Sequence, residues 1–199
     1  MNLLPRPFYL RPDVVWIARE LLGKYLVTRI GNTFTSGMIT ETEAYEGVTD
    51  RASHAYGNRL TARTKVMYEE GGVAYVYLCY GIHSMFNIVT NREGIPHAIL
   101  IRAIRPAEGL EAMLDRSGKT AMTRGFGDGP GKVTQLLGIR TSLSGLDLTV
   151  IPDRRESPAI WVEDRGMIVS PEQVESSTRI GVGYAGDDAH LPYRFRFRG

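Results

Sequence analysis

Val73-Ala74-Tyr75-Val76-Tyr77-Leu78-Cys79-Tyr80-Gly81-Ile82-His83-Ser84-Met85-Phe86-Asn87-Ile88-Val89-Thr90 carries the densest strand signal in the chain. Two runs of β-branched, aromatic and aliphatic residues, Val73 to Cys79 and Ser84 to Thr90, flank a short segment containing glycine. That pattern predicts an antiparallel hairpin with its turn over Tyr80 to His83, aromatics on the first arm and Tyr80 at the tip.

The flanking sequence supplies further strands and a few helices. Asp13 can cap a helix in which Val14, Val15, Ile17, Ala18, Leu21 and Leu22 recur at helical spacing, and Gly23 ends it. Lys24 to Ile30 and Met38 to Tyr45 read as strands, followed by a polar loop to about Thr64. Ala98 to Ile104 is another strand, with Arg102 inside it. Pro106 is expected to open a helix through Arg116. Gly131 to Leu137 reads as a short helix, Leu146 to Ile151 and Ile160 to Val162 as short strands, and Tyr193 to Arg198 as a closing strand of strict alternation. Strands dominate without regular alternation with helices, so a mixed α+β domain is expected rather than a doubly wound sheet. No repeat or low-complexity linker divides residues 1–199, which are expected to form one domain.

Composition narrows the class. Of 199 residues, 43% are hydrophobic and 23% charged, an ordinary globular balance. No apolar run approaches the roughly 20 residues of a membrane span, so no membrane partner is expected. The first residues lack a secretory pattern. The single cysteine, Cys79, excludes an internal disulfide and a cysteine-built zinc site, and a cytoplasmic location is expected. The formal charge is only +2, but four of the 24 basic residues are lysine and the other 20 arginine. Arginine suits bidentate phosphate contacts; arginine-rich codon usage explains the same count.

Several residues invite a chemical reading, each beside a plain one. Alternation puts Ile39, Glu41, Glu43 and Tyr45 on one strand face. Either that face is solvated, or a carboxylate stands in a pocket beside an aromatic ring, where a base for activating water would sit. His54 is a pocket residue or a surface strut, and no second histidine at ligand spacing supports a metal. Tyr75 and Tyr77 suit a core as well as a site. Tyr80, beside Gly81, has little core to enter, and a wedge between stacked bases is one use for it. Asp128-Gly129-Pro130-Gly131-Lys132-Val133 fails as a nucleotide-binding phosphate loop at Phe126 and Val133, yet a glycine-rich helix start with a lysine can hold a phosphate. The terminal Tyr193-Arg194-Phe195-Arg196-Phe197-Arg198 is a charge-defended edge strand or a nucleic-acid face.

In combination these segments are more specific. Glu41-Thr42-Glu43-Ala44-Tyr45, Ser53-His54, Tyr75 to Gly81, Asn87, Leu100-Ile101-Arg102-Ala103, Gly129-Pro130-Gly131-Lys132 and Arg179-Ile180-Gly181-Val182-Gly183, in that order, resemble the alkyladenine (methylpurine, 3-methyladenine) DNA glycosylases, in their compact bacterial form. The resemblance spans almost the whole chain. It implies a curved, mainly antiparallel sheet with a protruding β-hairpin and flanking helices.

The resemblance also implies an activity. Such a monofunctional enzyme flips alkylated or deaminated purines (3-methyladenine, 7-methylguanine, hypoxanthine, ethenoadenine) out of DNA and hydrolyses the N-glycosidic bond. Glu43 would orient the water, with Arg102 and the main-chain carbonyl of Ile180 as its other partners. Tyr45, His54 and Tyr77 would wall the base pocket, with Asn87 on its floor. Tyr80 would intercalate with Ile82 beside it, where methionine is expected; Arg59, Thr61 and Lys132 would contact the DNA backbone. The expected partner is double-stranded DNA with damaged purines, bound by a monomer near the bacterial nucleoid, without metal or organic cofactor. The competing reading is a non-catalytic nucleic-acid module using the same hairpin and arginines.

Overall fold

Pro5 and Pro7 bracket the start of a one-turn helix, α1 (Arg6–Tyr9), where a proline forfeits no intrahelical bond. Asp13 then caps α2 (Val14–Glu20) by accepting the Trp16 N–H at 2.8 Å. Beyond it the computed structural model, which describes residues 2–154 and 157–199, has more strand than helix. The strands and helices that follow are β1 (Tyr25–Ile30), β2 (Thr33–Tyr45), β3 (Ala74–Cys79), β4 (His83–Thr90), β5 (His97–Glu108), α3 (Leu110–Ser117), α4 (Pro130–Leu137), β6 (Ala159–Glu163), β7 (Val174–Ser177) and β8 (Arg194–Phe197).

The eight strands form one antiparallel sheet in the order β3-β4-β5-β2-β1-β6. The long β2 changes partner on one side: its first half pairs with β1, and Glu41 to Glu43 pair with β8, which in turn holds β7. The expected α+β class with a mainly antiparallel sheet is what the molecule has. Helices α2 and α4 lie against β2 and β5, and the core they share with the sheet includes Ile17, Leu21, Ala44, Ile88, Ile99 and Leu136. Each fully buried isoleucine contributes about 1.5–3 kcal/mol relative to an exposed one.

Local readings of the sequence needed correction in places. Pro106 does not open a helix. It stays in β5, paired with Gly37 beside a register irregularity that relieves the missing N–H. The helix begins at Leu110, after Gly109 at φ +74°. Leu146 to Ile151 is no strand beyond a bridge from Asp147 to Val73. Asp147 accepts both the Thr149 N–H and its hydroxyl, a local turn that competes with a ladder. Ile39 departs from the Glu41–Glu43–Tyr45 face into the core, because β2 is irregular between Ile39 and Glu41. The terminal strand is not an edge, since β8 lies between β2 and β7; its Phe195 and Phe197 are buried and Arg196 is exposed.

Candidate active site

Register assembles the site. Glu43 of β2 stands opposite Leu100 of β5, Leu100 opposite Asn87 of β4, and Asn87 opposite Tyr75 of β3. Residues two positions along a strand share a face, so Glu41, Tyr45, Arg102 and Tyr77 join this rank. The alternate rank, Ala44, Ile99, Ile88 and Ala74, faces the helices and is fully buried. One face of the sheet is therefore core. The other carries a cavity of about 480 Å³, lined by Tyr45, Tyr77, Asn87 and Arg102 together with His54, Ile180 and the hairpin's Tyr80.

Glu43 lies beneath these lining residues, with its side chain fully buried. Its Oε1 accepts the Ile180 N–H at 2.8 Å. Its Oε2 accepts the Tyr45 hydroxyl at 2.8 Å and Arg102 Nη1 at 3.4 Å. Burial pushes the carboxyl above the usual glutamate range, against the opposing pull of Arg102, the Ile180 N–H and Tyr45; the neighbouring Glu41 adds to the rise. Ile180 reaches Glu43 through its N–H, a contact separate from the partnership with the water that the resemblance implies for its carbonyl. Glu41 is not solvated either. It accepts Arg102 Nε at 3.0 Å and lies 3.7 Å from Arg194 Nε.

The polar loop after β2 supplies a second wall. His54 Nδ1 lies 2.9 Å from the Tyr75 hydroxyl, and its ring meets Tyr77 edge-on with centroids 4.6 Å apart. Burial, with Arg63 and Arg59 nearby, lowers its pKa to about 4, so the imidazole is neutral at pH 7. The loop is tied down by a buried pair. Arg179 grips Asp50 through both terminal nitrogens, donates to the Ala44 carbonyl at 2.9 Å and the Asp188 carbonyl at 3.0 Å, and stacks on Tyr45. Asn87 Nδ2 donates to the Tyr75 carbonyl at 3.2 Å, which fixes the amide on the cavity floor.

The hairpin tip is a turn closed by the Ile82 N–H on the Cys79 carbonyl, with positive φ at both Tyr80 (51°) and Gly81 (72°). Tyr80 is 94% exposed and Ile82 74%. A bulky residue held at positive φ and turned to solvent is uncommon, and such strain gathers at functional positions.

The expected backbone contacts separate into two places. Arg59 and Thr61 share with Arg51, His54 and Arg63 a polar recess adjoining the cavity. Lys132 lies apart in α4, exposed and donating to the Gly125 carbonyl at 3.0 Å. The glycine loop before α4 docks on the sheet beside Arg102, whose carbonyl accepts the Gly129 N–H. Gly127 must be glycine, because a Cβ there would stand 2.0 Å from the Ile104 carbonyl oxygen. A larger open groove of about 700 Å³ runs past Ile82, His83 and Arg140 on another side of the hairpin. It holds none of the expected pocket residues, whereas the smaller cavity is walled by Tyr45, Arg102 and Ile180, the three partners of Glu43.

Residue-by-residue reading missed Glu41 as a buried partner of Arg102, Arg63 as a pocket wall, Arg179 as the strut behind Tyr45, and Tyr184 at the rim. Of these, Glu41 left a signal in the residues themselves, as a second carboxylate on the strand face that carries Glu43. Among the described residues no three histidine, cysteine or acidic side chains converge as metal ligands, and no helix is long and apolar enough to cross a membrane.

The chain is similar to known proteins over nearly its whole length. The family described as Methylpurine-DNA glycosylase (MPG) matches residues 7–199. A Chlamydia felis protein is 42% identical over 198 residues, covering 97% of this chain and 95% of its own. A Methanocella arvoryzae protein is 41% identical over 195 residues (98% and 92%), and a Bacillus cytotoxicus protein 38% over 202 residues (98% and 95%). All three bear the name "Putative 3-methyladenine DNA glycosylase". With nearly the whole length aligned at such identity, the chain belongs to the methylpurine-DNA glycosylase family.

Proposed function

We propose that the protein removes alkylated and deaminated purines, 3-methyladenine among them, from double-stranded DNA by direct hydrolysis, with Glu43 as the base. The observation that carries this reading is a buried carboxylate of raised pKa beneath an aromatic cavity, next to a hairpin tip that presents Tyr80. A base in a duplex is out of reach of such a cavity, so it must be rotated out, at a few kcal/mol of lost stacking and pairing. Tyr80, with Ile82 beside it, fills the gap; Arg59, Thr61 and Lys132 hold the strand.

The flipped purine lies between Tyr45 on one side and His54 and Tyr77 on the other, over Asn87. Water attacks C1′ as the N-glycosidic bond breaks, the bonding pair leaves with the purine, and Glu43 takes the water's proton. Ionised Glu43 also stabilises the developing oxocarbenium charge, and its raised pKa makes it a better base than a solvated glutamate. Arg102 and the Ile180 main chain hold the carboxylate in place. Purines alkylated at N3 or N7 leave as neutral molecules without further help. Neutral lesions need a proton, and His54, neutral at pH 7, is not its source. The cavity walls include no lysine, which argues for a simple abasic product rather than strand cleavage through a Schiff base. The enzyme would act as a cytoplasmic monomer without cofactor.

The test is release of free base from duplexes each carrying a single lesion. Specific binding of lesion duplexes with no base released would overturn the reading in favour of a non-catalytic nucleic-acid module.

A further inference from the structure

Both tyrosine walls of the cavity carry a guanidinium. Arg179 stands 4.8 Å from the ring centroid of Tyr45, and Arg63 stands 4.6 Å from that of Tyr77. The two cations differ in how they are neutralised. Arg179 is buried in a two-point pair with Asp50, so it adds little net charge to the site. Arg63 is exposed and pairs with no carboxylate among the described residues. Its partners are the Tyr77 face and His54 Nε2, 3.2 Å away. Arg102, the other charged residue on the cavity wall, is already shared by Glu41 and Glu43. Arg63 is therefore the cation of the wall with no carboxylate partner among the described residues.

That charge acts on what can stack there. An aromatic face attracts a cation through its quadrupole. With Arg63 already on Tyr77, a second cation gains less from that ring and is repelled by the guanidinium. A neutral purine carries no net charge and suffers no such repulsion from the guanidinium.

Building on the glycosylase reading above, we propose that Arg63 is a specificity residue: its unpaired guanidinium on Tyr77 biases the pocket toward electrically neutral purine lesions over those with a fixed positive charge. Cationic lesions are then favoured by the ease with which they leave, not by how well they are held.

The experiment measures binding, apart from chemistry. Duplexes of one sequence carry 7-methylguanine (cationic), hypoxanthine (neutral) or guanine on a 2′-fluoro sugar, which blocks cleavage. Affinity is read by fluorescence anisotropy for the wild type, Arg63→Gln and Arg63→Lys. Arg63→Gln should raise the affinity ratio of 7-methylguanine to hypoxanthine about 3- to 30-fold, the span of a single cation–π contact. Arg63→Lys, which keeps the charge, should stay near the wild-type ratio. An exposed residue of this kind contributes little to folding, so both variants should be testable. Equal weakening on all three duplexes would identify Arg63 as a phosphate contact and overturn the proposal, as would an unchanged or reversed ratio. Wild-type protein that prefers neither lesion over guanine would overturn the glycosylase reading itself and this proposal with it, a result seen before any variant is made.

Discussion

Arg102 bridges two glutamates of one strand: its Nε lies 3.0 Å from Glu41 Oε1 and its Nη1 3.4 Å from Glu43 Oε2. Only Glu43 also receives the Tyr45 hydroxyl and the Ile180 N–H and is fully buried. Glu43→Gln should keep DNA binding and lose excision by about 10²–10⁴-fold, the usual worth of a general base. Single-turnover release of 3-methyladenine checks it, and activity within a few-fold of wild type would remove Glu43 from the mechanism.

The same substitution makes a prediction about stability. Because burial raises the Glu43 pKa, its linkage favours folding at low pH and is lost as pH rises through the folded value. Glu43→Gln should therefore melt no lower than wild type at pH 7, with its relative advantage shrinking as pH falls toward the ordinary glutamate range. Thermal melts at several pH values test this; a clear loss of stability at pH 7 would mean that the pairs with Arg102 and Tyr45 outweigh desolvation.

The resemblance assigns Glu41 no part in the chemistry. Its bond to Arg102 changes that expectation. Removing its charge should lower the Glu43 pKa, since Glu41 contributes to the rise. Glu41→Gln should shift the acid limb of the excision profile to lower pH and reduce the plateau rate through a less firmly held Arg102. An unmoved acid limb would show that Glu41 serves only the fold.

Tyr80 offers the cleanest separation of binding from stability. At 94% exposure it contributes little to folding, and its positive φ is a small strain. Tyr80→Ser should leave the melting temperature near wild type while lowering the flipped fraction reported by a fluorescent base analogue. The defect should shrink in weakly paired duplexes, where opening costs less. A large fall in melting temperature would make Tyr80 structural.

Asp50 and Arg179 predict the opposite pattern. Asp50→Asn leaves a buried guanidinium without its counter-charge, a loss of about 3–5 kcal/mol. Global melting should fall, and with it the order of the loop that carries His54 and backs Tyr45. Denaturant titration checks the magnitude, and a cost below about 1 kcal/mol would mean that solvent reaches the pair.

Much of this protein could be read from local chemistry. The hairpin from Ala74 to Thr90, the Asp13 cap and the short helix at Gly131 follow from periodicity, turn residues and capping, which act over a few positions. The identity of Glu43, Tyr45, His54 and Tyr77 as a set came from their order along the chain, matched to a family, and not from any property of each residue alone. Pro106 and the segment from Leu146 to Ile151 were misread because local propensity favoured one state and distant partners, Gly37 for the first and Arg6 and Val73 for the second, imposed another.

Tertiary structure alone decided which residues meet. Glu43, Leu100, Asn87 and Tyr75 lie on four strands, and a one-residue slip in any pairing would turn its side chain into the core. The bulge after Ile39 is what keeps both glutamates on the pocket face while Ile39 joins the core. Arg63 and Arg179 reach the tyrosines from loops whose course no periodicity describes. The sequence by itself determined the strands, the turn and the chemical types available. Register and loop closure, which depend on contacts between residues far apart in the chain, placed a carboxylate beneath a cavity lined by two guanidinium-bearing rings and an exposed tyrosine.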